Sequence, residues 1–250
     1  MVIIFGTDQF INRMLQKKFG RAVRNYYPKA LDTRETSIRY LGLLQNGHSL
    51  DVSKVLMATS LCSDDMNIPS TNFFHVVLGP FFLGGLGGLP FAGVTGLTAF
   101  AHHIPDNGSA FIFYGPHIGI TLEGELGRMY RPRQEASGFC CGALMLALDR
   151  FKNPDYTPEL REEDYQQTML EKQLFPFKEE ILSHENPEKC ITEKAFDRID
   201  EMIHRYLTKT KAEFKVDKVA LLGGIIINTD YGTDDYFEVR NFEVLNTKHL

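Results

Sequence analysis

The chain has 250 residues, of which 43% are hydrophobic and 24% are charged, so it is long enough and apolar enough to bury a large core. Its formal net charge of −5 argues against nucleic acid and membranes as partners, and no apolar run reaches the about 20 residues that cross a bilayer. Four cysteines in a chain of this length exclude a disulfide framework and indicate an intracellular, reducing compartment.

Two helices are predicted at the N-terminus. Apolar residues at helical spacing predict a basic amphipathic helix over Gln9–Tyr27, which Pro28 ends. Thr33 is predicted to cap a second helix that continues to about Gln45. We expect this helical segment, residues 1–50, to pack on the body of the protein.

The first predicted strand is Val52–Leu61, a short apolar run that is partly β-branched. Cys62 follows it directly, and Asp64 comes two residues later. Ligands gather beyond the carboxyl ends of strands in open parallel sheets, so both residues lie where a site is expected. The next apolar run, Asn72–Leu78, fits either another strand or the start of a helix, because its periodicity does not distinguish the two.

Gly84–Phe91 is a glycine-rich loop. It lacks the Gly-Lys-Ser/Thr ending of a phosphate loop and the Gly-x-Gly-x-x-Gly spacing of a dinucleotide site. Glycines also permit tight turns and close backbone approach. We therefore predict that the loop walls a small cavity rather than holding a nucleotide.

A β-hairpin is predicted next. Its strands are Leu97–Ile104 and Ser109–His117, and the turn between them is centred on Asp106-Asn107-Gly108. The two strands would be antiparallel, so their far ends would lie away from the turn.

This arrangement favours one histidine as a ligand. His117 ends the second hairpin strand, and if that strand runs parallel to Val52–Leu61, His117 shares a sheet edge with Cys62. His102 and His103 lie near the turn instead, and we expect them to be structural.

Ser137–Phe151 is predicted to be a helix with small residues at its start. Its first turn would carry Cys140 and Cys141. The free N–H groups and the dipole at a helix N-terminus favour a thiolate there.

The rest of the chain predicts helices and two strands. The helical stretches are Pro158–Leu182 and Glu193–Thr208, the central strand is Lys218–Ile227, and the edge strand is Tyr236–Val244. We find no internal repeat and no clear linker. The prediction is a single α/β domain over residues 1–250, with a mostly parallel central sheet flanked by helices.

Thiols and an imidazole in this order suit a zinc ion. Cys62, His117 and one of the pair Cys140 and Cys141 would supply three ligands and leave a fourth position open. An open position binds water and lowers its pKa to about 7. The spacing includes neither Cys-x-x-Cys nor His-x-x-x-His, so core cysteines and a structural histidine remain the alternative.

A carboxylate next to such a metal could orient the reacting water. Asp64 is placed to accept its hydrogen bond, and it needs a nearby cation to stay ionised. Arg131 and Arg133 are the candidates for that cation. A cysteine phosphatase is disfavoured because the loop after Cys62 is acidic, and a serine hydrolase is disfavoured because Gly-x-Ser-x-Gly is missing.

Several long motifs resemble the limiting-CO2-inducible B/C protein family of algae, a divergent group similar to β-class carbonic anhydrases. The motifs are Gly84–Phe91, Phe100–Gly108, Gly115–Gly119, Cys141–Ala143 and Gly223–Thr229. The resemblance implies a β-carbonic-anhydrase-like zinc fold, usually a homodimer, that interconverts CO2 and bicarbonate.

The same resemblance implies a set of site residues. The family pattern of Cys-x-Asp, Gly-His and Cys-Gly is matched by zinc ligands Cys62, His117 and Cys141, with Asp64 as a catalytic residue. Two features depart from the pattern: an insertion separates His117 from Cys141, and Met66 stands where an arginine partner of the aspartate is usual. We expect Arg131 to supply the second catalytic side chain.

The sequence thus predicts a zinc-dependent carbonic anhydrase in which metal-bound hydroxide attacks CO2. The competing hypothesis is a catalytically silent, zinc-stabilised binding or assembly protein of a CO2-concentrating mechanism. The resemblance also implies a chloroplast location, although no transit peptide is recognised in this chain.

Overall fold

One long buried strand organises the sheet. The computed structural model describes residues 4–67, 76–230 and 233–249, and within them seven strands form one sheet around Lys218–Asn228. All but the first residue of this strand are buried, as expected for a run rich in valine, leucine and isoleucine with a neighbour on each side. The prediction of a central strand here is confirmed.

The elements are numbered in chain order. The strands are β1 (Leu31–Asp32), β2 (Val55–Ser60), β3 (Leu78–Phe82), β4 (Ser109–Tyr114), β5 (His117–Gly119), β6 (Arg128–Met129), β7 (Gly138–Phe139), β8 (Lys218–Asn228) and β9 (Tyr236–Asn246). The α-helices are α1 (Ile4–Tyr26), α2 (Thr33–Gly42), α3 (Gly93–His103), α4 (Gly142–Phe151), α5 (Tyr165–Leu174), α6 (Lys178–Ser183) and α7 (Pro187–Thr210).

The sheet is mostly parallel. Its order is β1-β9-β8-β4-β2-β3, and β5 also pairs with β8. Strands β3, β2, β4, β5 and β8 run parallel, whereas β9 and β1 join in antiparallel fashion. The predicted α/β fold with a mostly parallel central sheet is therefore confirmed.

Side-chain alternation along the strands builds a core on each face of the sheet. On β4, Ile112 and Tyr114 pack into one hydrophobic cluster, while Phe111 and Phe113 pack into the other. The larger cluster includes helices α3, α4 and α7 and also Phe19 and other residues of α1. No helix in the described part of the chain is long and apolar enough to cross a membrane.

The predicted hairpin is wrong. Leu97–Ile104 is not a strand, because Gly93–His103 forms helix α3 and buries Leu97, Phe100 and Ala101 on one face. Their spacing of three and four residues is the helical one. Helix α3 carries the chain back across the sheet, so that β4 pairs with β2 in parallel rather than turning back on its predecessor.

Several helix starts differ from prediction: α1 and α7 begin at Ile4 and Pro187, ahead of the predicted Gln9 and Glu193, and the starts of α2 and α4 also differ. Asp32, not Thr33, caps α2, and its Oδ1 accepts a hydrogen bond from the backbone N–H of Glu35 at 2.7 Å. Helix α4 begins at Gly142, so Cys141 is its N-cap residue and Cys140 lies outside the helix. At α2, the carboxylate of Asp32 is a better acceptor for a free backbone N–H than the hydroxyl of Thr33. At α4, strand β7 occupies the residues that were predicted to form the first turn of the helix.

The remaining predictions fare differently. The helical stretch predicted over Pro158–Leu182 contains two α-helices, of which the first begins only at Tyr165. A 3-10 turn at Phe175–Phe177, with Pro176 near its start, separates α5 from α6. For the undecided run Asn72–Leu78, residues 72–75 lie outside the described residues, and Leu78 begins β3.

Candidate metal centre

The carboxyl ends of β2, β4 and β8 lie at one edge of the sheet, and β4 ends at Tyr114, three residues before the predicted strand end at His117. Cys62 follows β2, His117 begins β5, and Asn228 ends β8. His117 pairs with Ile226 of β8, which fixes its place on this edge.

A close backbone contact holds β5 against the central strand. Gly115 lies between β4 and β5 with a φ of 152°, and a Cβ built on it would lie 1.7 Å from the carbonyl oxygen of Gly224. Only glycine fits there, and this contact positions His117 two residues later.

Three ligand-type side chains meet at the edge. The ligand atoms of Cys62, His117 and Cys141 all lie within 4.8 Å of one another, and all three residues are buried. The two sulfur atoms of Cys62 and Cys141 are 3.7 Å apart. The structure thus brings together the three residues that the sequence analysis named as metal ligands.

The insertion, residues 120–140, leaves this edge and returns to it. Gly119 N–H donates to the Cys140 carbonyl at 2.6 Å, Cys140 N–H donates to the Gly127 carbonyl at 3.0 Å, and Gly127 N–H donates to the Gly119 carbonyl at 2.8 Å. These bonds close the base of the insertion and return Cys141 to the side of His117.

The outer part of the insertion contacts the turn that follows Cys62. Met129 packs with Met66 and Cys140 in a small buried cluster. Met66, which stands where the family pattern has an arginine, therefore serves as a packing residue that holds the insertion in place.

Arg131 reaches Asp64 from the insertion. Its Nη2 donates to Oδ1 and Oδ2 of Asp64 at 2.9 and 2.8 Å, and its Nη1 donates to Oδ1 of Asp65 at 2.6 Å. Burial acts to raise the pKa of Asp64, but His117 and the Arg131 guanidinium outweigh it and hold the pKa below its usual value. Asp64 is therefore a carboxylate at neutral pH.

The two nitrogens of the His117 imidazole have different surroundings. Nδ1 lies 2.7 Å from Oδ1 of Asn228, whereas the buried Nε2 has no hydrogen-bond partner among the described residues. Nε2 is 4.0 Å from Oδ2 of Asp64. A buried imidazole nitrogen without a partner, beside two thiols, fits a zinc ion in chemistry and in number of donors.

The electrostatics of the cluster favour a cation. The contact with Cys141 and burial both raise the pKa of the Cys62 thiol. Burial acts to lower the pKa of His117, but Cys140 and Cys62 outweigh it and raise that pKa above the usual range. Both shifts favour the protonated side chains, so adjacent thiolates would form in this cluster when a metal ion replaces the protons and compensates the negative charge.

The other candidate side chains lie elsewhere. His102 is exposed and its Nε2 lies 2.8 Å from Oε2 of Glu213. The ring of His103 packs edge-on against Phe81. Arg133 is exposed, and the ion pair with Asp64 is made by Arg131.

The glycine-rich loop borders the same edge. The hydroxyl of Ser60 donates to the carbonyl of Gly88 at 2.9 Å, and Gly88 lies against the Gly115 carbonyl. The loop is therefore next to the strand ends that carry Cys62 and His117. That it walls a small cavity stays a prediction.

Sequence reasoning missed Asn228 and Asp235 as parts of this centre. Nδ2 of Asn228 donates to Oδ2 of Asp235 at 3.0 Å, and both residues are buried. The available signal was an asparagine at the carboxyl end of the predicted central strand.

Comparison with known proteins agrees with these observations. The family model of limiting CO2-inducible proteins B/C β-carbonic anhydrases matches residues 37–246. The crystal structure of PtLCIB4, a homolog of the limiting CO2-inducible protein LCIB, is 31% identical with a TM-score of 0.82, over 91% of this chain and 95% of that one. The crystal structure of LCIB itself is 19% identical with a TM-score of 0.68, over 89% of this chain and 93% of that one, which supports the fold. No curated protein matches the sequence. The chain belongs to the family of limiting CO2-inducible proteins B/C β-carbonic anhydrases.

Proposed function

We propose that this protein is a zinc-dependent carbonic anhydrase that interconverts CO2 and bicarbonate. The observation that supports it most directly is the buried cluster of Cys62, His117 and Cys141 beside a carboxylate, Asp64, that Arg131 holds in place. Family membership supports the same reaction.

Cys62, His117 and Cys141 would hold the zinc ion, with Nε2 as the histidine donor. When bound, zinc supplies a Lewis acid that lowers the pKa of water to about 7, so that a nucleophile for CO2 exists at neutral pH. Two thiolates donate charge and oppose this acidification, so the reacting water needs further help from the protein.

Asp64 would give that help. Arg131 binds both of its oxygens, which keeps the carboxylate ionised and fixes its orientation. The carboxylate can then accept a hydrogen bond from the reacting water and direct a lone pair of the water oxygen toward CO2. Without Arg131, Asp64 would be free to move toward the metal ligands and block the open position.

A second candidate function is a zinc-stabilised binding or assembly protein without turnover. One observation favours it: Oδ2 of Asp64 lies only 4.0 Å from Nε2 of His117, the nitrogen proposed to bind zinc. If Asp64 became a fourth ligand, zinc would be structural and no position would remain for substrate.

Stopped-flow CO2 hydration on protein of known zinc content tests the proposal. We expect turnover proportional to zinc in the wild type and loss of both zinc and turnover in Cys62→Ser. Cys190→Ser is the matched control, because Cys190 is also buried but lies on α7. Full zinc occupancy without turnover would favour the binding protein, and absence of zinc would overturn both functions.

We further propose that the protein forms a homodimer and resides in the chloroplast, as the family resemblance implies. Sedimentation equilibrium of the zinc-loaded protein tests the first proposal, and a purely monomeric species would contradict it.

A further inference from the structure

Asn228 ends the central strand with its side-chain amide fully buried behind His117. We propose that Asn228 and Asp235 form a positioning pair that keeps the proton of His117 on Nδ1 and thereby presents Nε2 to the metal. This inference rests on the zinc site of the proposed function.

The amide of Asn228 has a partner on every side. Its Oδ1 lies 2.7 Å from Nδ1 of His117 and accepts from Sγ of Cys140 at 3.5 Å. Its Nδ2 donates to Oδ2 of Asp235 at 3.0 Å and to the carbonyl oxygen of Met66 at 3.5 Å.

These partners allow only one orientation of the amide. A carboxylate and a carbonyl can accept but not donate, so the NH2 group of Asn228 must face Asp235 and Met66. The amide oxygen then faces His117, whose Nδ1 must carry a proton to make the 2.7 Å contact.

Asp235 is itself anchored. Its Oδ1 accepts a hydrogen bond from the backbone N–H of Thr229 at 3.0 Å, and the residue is buried. The chain of contacts from Asp235 through Asn228 to His117 is therefore tied to the backbone at the end of β8. Partners of this kind orient a ligating histidine and make it a better donor.

The pattern also separates the two adjacent cysteines. Cys140 lies on the Nδ1 side of the ring, where its S–H donates to Asn228, while Cys141 lies 3.7 Å from Cys62 in the ligand cluster. Cys140 is thus a supporting donor, and Cys141 is the ligand.

An exchange of the two side chains tests the inference. Asn228→Asp places a carboxylate against Asp235, and we expect it to weaken zinc binding about 10- to 100-fold in competition with a chelator of known affinity. The double variant Asn228→Asp/Asp235→Asn restores one donor and one carboxylate, and we expect it to recover most of the affinity. Asn228→Ala, which removes the amide without adding charge, should also weaken binding.

Asn241→Asp is the matched control. Nδ2 of Asn241 donates to Oδ1 of Asp200 at 3.2 Å and to Oε1 of Glu243 at 2.9 Å, so the same substitution again sets carboxylates against each other. Because these residues lie outside the ligand cluster, zinc affinity should not change.

A long-range 1H–15N spectrum of zinc-loaded protein labelled at histidine gives a direct view of the ring. We expect His117 to show a protonated Nδ1 and a metal-bound Nε2. Zinc on Nδ1, or equal zinc affinity of the wild type, Asn228→Asp and Asn228→Ala, would overturn the inference.

The outcomes distinguish this inference from the proposed function. Zinc-loaded wild-type protein without CO2 hydration would overturn the proposed function alone, because affinity and spectrum are measured without CO2. A wild-type protein that binds no zinc would overturn both.

Discussion

The candidate centre has two halves, a sheet half with Cys62 and His117 and an insertion half with Arg131, and different interactions hold them in place. Cys62 and His117 extend from parallel strands whose backbones are paired on a buried sheet. Arg131 comes from an insertion, and its partly exposed guanidinium is held by contacts with Asp64 and Asp65. Ligands on a rigid sheet edge keep their geometry, whereas an ion pair at the surface of a loop can be altered without disturbing the core. We therefore expect substitutions on the sheet side to abolish metal binding and substitutions in the insertion to change reactivity.

The largest effect is expected on the sheet side. His117→Ala should lose zinc and CO2 hydration together, because it removes one of the three proposed ligands from a buried cluster. His102→Ala is the matched control and should keep both, since His102 is exposed and contacts Glu213. Metal analysis after dialysis checks this, and retained zinc in His117→Ala would contradict the ligand set.

A smaller effect is expected in the insertion. Arg131→Gln should keep its zinc but lower the rate of CO2 hydration about tenfold to a hundredfold, because Asp64 loses the group that orients it. Arg133→Gln, two residues away and exposed, should behave as the wild type. Equal rates in the two variants would show that the ion pair does not take part.

The pH dependence sharpens this test. Arg131 helps to hold the pKa of Asp64 below its usual value, so removing the guanidinium raises that pKa. The carboxylate of Arg131→Gln is then lost at a higher pH than in the wild type. The acid limb of the CO2 hydration profile should shift upward in this variant and not in Arg133→Gln.

The junction between the two halves gives a stability prediction. A Cβ on Gly119 would lie 2.7 Å from the Arg128 carbonyl oxygen and 2.8 Å from Cβ of Cys140, so Gly119→Ala should destabilise the protein by about 1–3 kcal/mol. Gly142→Ala is the control, because a Cβ there meets nothing within 4 Å. Urea unfolding of both variants checks the difference, and equal stabilities would mean that the insertion adjusts freely.

The smallest effect is expected far from both halves. Burial acts to lower the pKa of His204, but its contacts with Asp200 and Glu243 raise it. A raised folded-state pKa stabilises the protein below the usual histidine pKa of about 6.5, and this stabilisation is lost as the pH rises through the folded-state pKa. His204→Gln should therefore lower the free energy of unfolding by less than about 1 kcal/mol, mainly at acid pH, because the ring is partly exposed. A pH-independent difference in urea unfolding would contradict this assignment.

The sheet half could largely be predicted from the sequence. Continuous apolar runs mark β2 and β8, and the rule for carboxyl ends of parallel strands brings Cys62 and His117 to one edge. The choice of Cys141 over Cys140 came from family resemblance, because two adjacent cysteines have no periodicity to separate them.

The errors share a physical reason. The run Leu97–His103 is apolar and short, and in so short a run the helical spacing of its buried residues is a weak signal. The crossover to a parallel neighbour decides for the helix. The choice of Arg131 over Arg133 was not an error, since Arg131 pairs with Asp64, but it depends on the path of the insertion. That path is set by the hydrogen bonds between Gly119 and Cys140 and by the packing of Met129 on Met66. The two residues of each pair are far apart in the sequence.

The closed base of the insertion has a consequence for engineering. Three backbone hydrogen bonds among Gly119, Gly127 and Cys140 join the points where the chain leaves and re-enters the sheet edge, and none of them involves a side chain of residues 130–137. The tip, residues 130–137, contacts the rest of the protein through the Tyr130 N–H, which donates to Oδ1 of Asp230, and through Arg131, which pairs with Asp64 and Asp65. A replacement loop can change these contacts without changing the hydrogen bonds of the base. Replacing residues 130–137 with the corresponding segments of relatives would change the pKa of Asp64 while the proposed metal ligands stay in place.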